Sequence, residues 1–457
     1  MLLNVDDYLT ELSPLFSGRL LLKREIRLDE QLFQTLLQNN LFKEIRSIKK
    51  YIGFYECQRC FNQSSHYFGR LPDRTVYCKK CIMMGRVSEK EPLYEWCGPD
   101  AILDKVSQAC EWNGVLSPLQ KHASLKIVEA IQNRSQILIH AVCGSGKTEM
   151  LYEGIAHAIE AGKKVCIATP RTDVVRELAP RFRRDFPNIK SCALYMNSTE
   201  KDVNAHLVIA TTHQLLRYKD AFDVTVIDEV DAFPFHNDPT LKKAVKRATK
   251  KDGSTIYLTA TPRLDMKLKK SFQLIPAVSI PLRFHGHPLP VPKFHYIHQL
   301  EKQLKEEKIP ADITDWFKNR KRRYLIFVPT IEMAEQVSVM LDHTPFVHAE
   351  SPDRAELIQQ FRNKKMNRLI TTTILERGVT FPSIDVAIIQ ADHHVFDEAA
   401  LIQIAGRAGR SHADPTGDVV FFYETKTRAM VSAKKEIVLK NDEGKKWKEE
   451  TGEIEKI

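Results

Sequence analysis

The run Ala141-Val142-Cys143-Gly144-Ser145-Gly146-Lys147-Thr148 constrains this chain more than any other stretch. It follows the apolar segment 136–140, which reads as a buried strand, and precedes a stretch from Glu149 that reads as a helix. A glycine-rich turn between strand and helix leaves backbone N–H groups unpaired and aimed at one point. With the helix N-terminus and the Lys147 ammonium they form a cradle for a triphosphate. The Thr148 hydroxyl is then placed to hold Mg²⁺. Ala141 stands where the pattern asks for glycine, but the Gly144-Ser145-Gly146-Lys147-Thr148 core and its strand–turn–helix context outweigh that departure.

The surrounding sequence supplies the sheet that such a loop needs. Short apolar runs at 137–141, 164–169, 207–211, 224–228 and 254–258 read as buried strands, with helical stretches between several of them. The proline-rich segment 276–292 reads as a connector. A second block follows, with strands expected at 324–328, 346–348, 368–371, 386–390 and 418–422 and helices at 332–341 and 353–363. The fold expected is α/β, two tandem parallel-sheet domains at 98–280 and 301–425 joined by a linker at 281–300. In front lie a helical annex at 1–50 and a small module at 51–97, and a charged tail at 426–457 reads as an exposed helix or a frayed end. In the annex, Leu32, Phe33, Leu36 and Leu37 recur at helical spacing, and Leu41, Phe42, Ile45 and Ile48 suggest a second stripe. No apolar run approaches the ~18 residues of a spanning helix. The N-terminus has early acids and no basic region, so a cytoplasmic protein is expected.

Nine cysteines in such a chain argue for metal or free thiols rather than disulfides. Cys57-x-x-Cys60 and Cys78-x-x-Cys81 deliver four thiolates to one tetrahedral site, the geometry Zn²⁺ prefers. A redox role for one pair would not need the other. The same module carries Tyr51, Phe54, Tyr55, Phe61, Tyr67, Phe68, Tyr77, Tyr94 and Trp96 among several cations. Part of that set is core; any rings left exposed would make a stacking surface for single strands.

Asp228-Glu229-Val230-Asp231 directly follows the apolar run 224–227. A strand ending in two acids sets Asp228 at the carboxyl edge of a parallel sheet, suited to Mg²⁺, with Glu229 suited to activate a water. Gln120 lies just upstream of the first strand, and its amide can read an adenine edge. In Gln403-Ile-Ala-Gly406-Arg407-Ala-Gly409-Arg410 two arginines share a helix face. Facing a bound γ-phosphate they would act as arginine fingers. Lys242, Lys243, Lys246, Arg247, Lys250 and Lys251 would line one side of a helix. A solvated face, an acidic lipid surface and a DNA path are all open for that stripe, as for the basic run 318–323. The net charge of +10 leans the same way.

In order, Gln120, the loop at 141–148, ATPRTDVVREL at 168–178, ATTHQLL at 210–216, DEVD, Thr259-Ala260-Thr261, LIFVPT at 325–330, TTTILERGVTF at 371–381 and QIAGRAGR resemble the motif set of superfamily 2 nucleic-acid motors with two RecA-like domains. The four-cysteine module in front of the motor resembles the ComFA family of late competence proteins. Replication-restart helicases, in which a cysteine-rich module is embedded in the second motor domain, are the alternative. The resemblance implies an ATP-driven single-stranded DNA translocase that powers DNA uptake in natural transformation, with ATP, Mg²⁺ and Zn²⁺ bound. It implies backbone contacts at Arg171, Thr211, Thr212, Thr371, Thr372 and Thr373. It also implies coupling between ATP state and DNA grip through Thr259, Thr261, Glu376, Arg377 and Gly378. Implied partners are a phosphoribosyltransferase-like competence protein and the membrane DNA channel, with peripheral membrane association. A duplex-unwinding helicase and a non-hydrolysing zinc scaffold are the competing readings.

Overall fold

The computed structural model describes residues 6–379 and 381–452. Two compact units divide the chain: Met1–Ile139 with Thr148–Val278, and His140–Lys147 with Ser279–Ile457. The first RecA-like sheet has seven strands in the spatial order Ser191–Leu194, Leu207–Thr211, Val165–Thr169, Phe222–Ile227, Thr249–Thr259, Gln136–Ala141, Ala277–Ile280. Its centre is parallel, with Ile167 level with Ile209 on one side and Val226 on the other. Val165–Thr169 and Leu207–Thr211 are buried at every position, as strands covered on both faces must be. Sequence periodicity does not reveal Ser191–Leu194 and Ala277–Ile280, the two edge strands, whose apolar runs are short and broken.

The second unit carries a six-stranded parallel sheet in the order Lys293–Tyr296, Val419–Tyr423, Ile384–Ile389, Arg323–Phe327, Arg368–Thr371, Phe346–Val347. The segment expected as a linker at 281–300 therefore supplies an edge strand of this sheet. The expected tail also has a packed role. Arg428–Thr451 is one helix with Met430, Ala433, Ile437, Lys440 and Gly444 buried at helical spacing. At Gly444 a Cβ would lie 2.4 Å from Leu282 Cδ2, so any larger residue would make the Leu282 side chain shift. Asn441 closes the contact by accepting from the Leu289 amide and donating to its carbonyl. Residues 453–457 of that expected tail lie outside the described residues.

The boundary expected at 50/51 is not a boundary in the fold. Leu93–Trp96 runs antiparallel between Leu20–Leu22 and Phe42–Ile45, so the ends of the two expected pieces share one sheet. Of the stripe Leu41, Phe42, Ile45 and Ile48, the last three lie in the strands Phe42–Ile45 and Ile48–Lys50 rather than in a helix, and Leu41 lies in a bend ahead of them. Cross-strand pairing of Phe42 with Trp96, inside a cluster with Phe16, Phe33 and Tyr94, overrides helical spacing there. Asp6–Phe16 and Glu30–Gln38 are the helices of this domain. Residues 1–5 of the expected annex lie outside the described residues.

This N-terminal domain and the first motor sheet form one packed body. Leu20, Leu22, Ile48 and the four knuckle cysteines share a buried cluster with Leu216 and Ala244 of the motor. Polar clamps surround it. Arg247 donates to the carbonyls of Gln58 (2.9 Å), Leu216 (2.7 Å) and Tyr218 (3.1 Å). Glu25 binds Arg59 at 2.9 Å and Arg217 at 2.6 Å. The buried carboxylate of Asp202 takes Lys164 at 2.9 Å, Arg19 at 3.4 Å and the Tyr218 hydroxyl at 3.1 Å. Burial alone would raise the Asp202 pKa; Lys164 and Arg19 outweigh it and hold the group below its ordinary value.

Asp202→Ala leaves two buried cations without their counter-charge and should cost about 3–5 kcal/mol, read as a lower urea midpoint. Because the native pKa is depressed, this contribution is complete above the unfolded carboxyl range near pH 4 and is lost as pH falls through the native value. A loss below about 1 kcal/mol at pH 7 would contradict the assignment.

Candidate functional site

The phosphate loop turns through two left-handed glycines, Gly144 (φ 78°) and Gly146 (φ 72°), conformations that an L side chain resists. Ser145 N–H closes the turn onto the Val142 carbonyl at 3.2 Å. By its packing the loop belongs to the second unit. The Gly144 carbonyl accepts from Phe284 N–H (2.9 Å), and the Cys143 thiol donates to Gln403 Oε1 (3.0 Å). Gly406 lies so near that a Cβ on it would meet Cys143 Cβ at 2.5 Å. The first glycine of the arginine motif is thus explained by the phosphate loop. Lys147 and Thr148 are half-buried at the loop's end, with Thr148 opening the short 3₁₀ turn Glu149–Leu151 ahead of the helix Tyr152–Glu160.

Arg407 is buried. Its guanidinium donates to the carbonyls of Glu376 (3.1 Å) and Val379, while Arg410 donates to Gly406 O at 2.8 Å. The segment that holds Glu376, Arg377 and Gly378 is therefore tied to the arginine motif at Glu376 and Val379. Arg377 is itself buried against the Glu376 carboxylate at 3.0 Å. The quoted motif 371–381 includes Thr380, which lies outside the described residues. Arg283 is a participant the sequence did not flag. Buried, it donates to Ala408 O (2.8 Å) and Gly409 O (2.5 Å), next to Gly144. Burial first and the like charge of Arg410 second push its pKa down to about 10. A single arginine in a proline-rich connector carries no local signal of such a role.

In the first unit the strand Phe222–Ile227 ends where expected, and Asp228 N–H still bonds across to Ala168 O at 2.8 Å. Glu229 then takes φ 55°, a left-handed conformation costing a non-glycine residue about 1–2 kcal/mol. Its amide is held by Asp228 Oδ1 at 2.9 Å. Asp231, the last acid of the run, is buried and accepts from the hydroxyls of Thr259 (2.5 Å) and Thr261 (2.6 Å). Those are the two threonines that the resemblance assigns to coupling, and Asp231 is the residue that ties them to the acidic strand end. The signal for it was the third acid in DEVD.

Other expected residues have structural tasks. Gln120 is buried, and its Oε1 accepts from Ser117 N–H at 2.8 Å in a capping box, which fixes the amide at the start of the helix Pro118–Gln132. Thr211 and Thr212 are buried where the strand Leu207–Thr211 passes into the 3₁₀ segment Thr212–Arg217, so their hydroxyls do not line an open surface. Thr371 is buried too and donates to Val347 O at 3.1 Å. Thr372, Thr373 and Arg171 are half-buried. Of the basic stripe, Arg247 is the clamp already described, while Lys242 and Lys250 pair with Asp265 and Asp223. In the run 318–323, Arg320 and Arg322 pair with Asp418 and Asp414.

The four knuckle cysteines are all buried, with their sulfurs within 4.8 Å of one another. Cys57 and Cys81 are 3.8 Å apart, Cys60 and Cys78 3.5 Å. A tetrahedron with Zn–S bonds of about 2.3 Å has edges of about 3.8 Å, so the donor set fits Zn²⁺. Hydrogen bonds from the neighbouring thiols, Cys60 first, hold Cys57 well below the usual thiol range, and bonds to Cys57 first push Cys60 and Cys81 up. Arg59, fully buried beside them, and Arg247 bring positive charge to what becomes a doubly negative cluster when metal is bound.

The ComFA N-terminal domain pattern matches residues 6–95, the type III restriction enzyme res-subunit pattern matches 113–264, and the helicase conserved C-terminal pattern matches 302–412. Competence protein ComFA of Bacillus subtilis is 42% identical over 94% of this chain and 95% of its own length. The chain belongs to the ComFA family. The ComFA of Streptococcus pneumoniae is 37% identical over 94% of this chain and 98% of its length. Among solved structures, yeast Dbp5 bound to RNA and ADP BeF3 aligns with a TM-score of 0.51 at 18% identity, covering 73% of this chain and 95% of that one. Mycobacterium smegmatis helicase Lhr bound to ssDNA and AMP-PNP aligns at 0.52 and 17% identity, covering 72% and 50%. Both share the two-domain RecA-like fold. This ComFA-family chain is an ATPase of the helicase superfamily 2 class, with a four-cysteine N-terminal domain. Among the described residues no helix is long and apolar enough to cross a membrane.

Purified protein should carry about one zinc per chain, and Cys60→Ala should reduce it to near zero and lower the melting temperature. Full retention of zinc in that variant would remove the tetrathiolate assignment.

Proposed function

We propose that this chain is an ATP-driven single-stranded DNA translocase powering DNA uptake in natural transformation. Family membership supports the setting, and the loop, acid and arginine motifs support the chemistry. The observation that carries the reading is the pair of hydrogen bonds from Thr259 and Thr261 to Asp231. A carboxylate two residues after Glu229 is locked to the next motif, a link that a non-hydrolysing scaffold does not need.

In this mechanism the loop amides and Lys147 hold the β- and γ-phosphates of ATP. Thr148 and Asp228 are the residues that would hold Mg²⁺, which when bound spreads the charge of the transferring phosphoryl group. Glu229 orients the attacking water and accepts its proton. Arg407 and Arg410 exchange their present carbonyl acceptors for phosphate oxygens, a bidentate contact suited to guanidinium. Because Arg407 bonds the carbonyls of Glu376 and Val379, that exchange frees the segment after Thr373. Thr259 and Thr261 report the state of the acidic strand end through Asp231. Single-stranded DNA runs over the half-buried Arg171, Thr372 and Thr373, while Thr211, Thr212 and Thr371 shape the backbone beneath rather than donate hydroxyls. A phosphoribosyltransferase-like partner, the membrane DNA channel and peripheral membrane association complete the proposal.

Single-stranded DNA should raise ATP turnover. Lys147→Ala and Glu229→Gln should each lower the stimulated rate by about 10²–10⁴-fold, with Glu229→Gln still binding nucleotide. Normal turnover in Glu229→Gln would reject the catalytic assignment. Robust strand displacement on a forked duplex would favour the restart-helicase reading instead.

A further inference from the structure

The hairpin Ile48–Lys50/Tyr55–Cys57 turns at Ile52-Gly53, with Tyr51 N–H bonded to Phe54 O at 2.9 Å and Gly53 at φ 85°. That register sets Tyr51 and Phe54 directly opposite on one face. Their rings stack on each other, centroids 4.8 Å apart and 13° from parallel, yet 43% and 40% of these residues stay exposed. Ile52 is fully exposed at the tip, and Lys49 and Lys50 are exposed beside it. The pair closes the end of a two-stranded hairpin, and much of both rings is still left to solvent.

The tip is continuous with a cationic ridge on the motor. Glu56, next to it, accepts from the Tyr51 hydroxyl at 3.4 Å; burial would raise its pKa, but hydrogen bonds from Gln58, Gln63 and Tyr51, and last the charge of Lys243, hold it down. Gln58 and Gln63 also occupy the Glu56 carboxylate, at 2.9 and 2.8 Å. Phe61, which follows the first knuckle, lies 6.0 Å from the Lys243 ammonium and 4.8 Å from Arg247. From there Lys243, Lys246 and Lys250 follow at three- and four-residue intervals on one side of the helix Pro239–Ala248 and just past its end. They border a cavity of about 780 Å³ with Tyr257 in its wall. Among the described residues Lys243, Lys246 and Lys251 make no ion pair, whereas their neighbours Lys242 and Lys250 do.

We propose that the Tyr51–Phe54 tip and the Lys243–Lys246 ridge form a binding track for single-stranded DNA, outside the motor's shared motifs. The rings stack on bases and the lysines hold the backbone, a combination that grips a single strand without reading its sequence. The nearly parallel rings present flat faces suited to a base, and the lysines beside them supply contacts for a phosphate backbone. The inference deepens the translocase reading and rests on it. It gives the zinc-bearing domain a grip on the strand that is fixed to the first motor domain.

The test uses the full-length protein and an oligothymidylate carrying one 2-aminopurine. Tyr51→Ala/Phe54→Ala should weaken binding by about 5- to 150-fold and abolish the stacking-induced fluorescence quench, while Tyr51→Phe retains both. Lys243→Gln/Lys246→Gln should flatten the log–log salt slope by about 1.4, two phosphate contacts' worth for a single strand. Zinc content and melting temperature equal to wild type establish that these surface variants are folded. Unchanged affinity, quench and slope would overturn the proposal. So would a Tyr51/Phe54 dependence seen only with phosphatidylglycerol vesicles. If the wild type itself shows no DNA-stimulated turnover, the translocase reading falls and takes the track with it. If the wild type is stimulated and the variants bind as it does, the track alone falls.

Discussion

Arg247 is the side chain on which the arrangement of the first unit turns. Its guanidinium joins the first zinc knuckle, through Gln58 O, to the C-terminal end of the segment Thr212–Arg217, through Leu216 O and Tyr218 O. A guanidinium withdrawn from water is costly unless its donors are satisfied, and here it meets three carbonyls, one on the knuckle and two at the end of the segment Thr212–Arg217. Burial first, then the charge of Arg59, pushes its pKa down to about 10, while the nearby thiols of Cys57, Cys60 and Cys81 pull the other way. The knuckle charge and the clamp charge therefore depend on each other. Glu25 balances Arg59, and the remaining positive charge of the pair faces the thiolates.

That dependence gives the small domain a mechanical meaning. A four-cysteine module of this size is usually held together by its metal alone. Here its sulfurs share a core with Leu216 and Ala244, and Glu25 bridges Arg59 to Arg217. Whatever moves the segment Thr212–Arg217 moves the N-terminal domain with it. An exposed aromatic tip on that domain is then displaced together with the motor surface rather than independently of it.

The α/β alternation, the phosphate loop, the acidic strand end, the arginine motif and the cysteine knuckles were all legible in the sequence, because each depends on a short run whose chemistry is local. Long-range pairing was not. Phe42 and Ile45 carry helical spacing but pair with Leu93–Trp96, far along the chain, and nothing near them announces that partner. Arg283 carries no signal in the sequence, and Arg247 reads only as one member of a basic stripe open to a solvated face, a lipid surface or a DNA path, since what defines both is the carbonyls they meet. Burial separates the hydroxyl-bearing motif residues, which the sequence alone cannot do. Thr211, Thr212 and Thr371 occupy the right positions, but at the buried ends of strands their side chains serve the fold. Asp231 was visible as a letter and invisible as a role until Thr259 and Thr261 were seen to bond it.

The central claim is that zinc knuckles and first motor domain are one body clamped by Arg247. Hydrogen exchange on the intact protein, with and without chelation of its zinc, tests it most directly. The account predicts that stripping the metal raises exchange in Thr212–Arg217 and Pro239–Ala248 together with residues 51–97. Faster exchange confined to 51–97, with both motor segments unchanged, would contradict it.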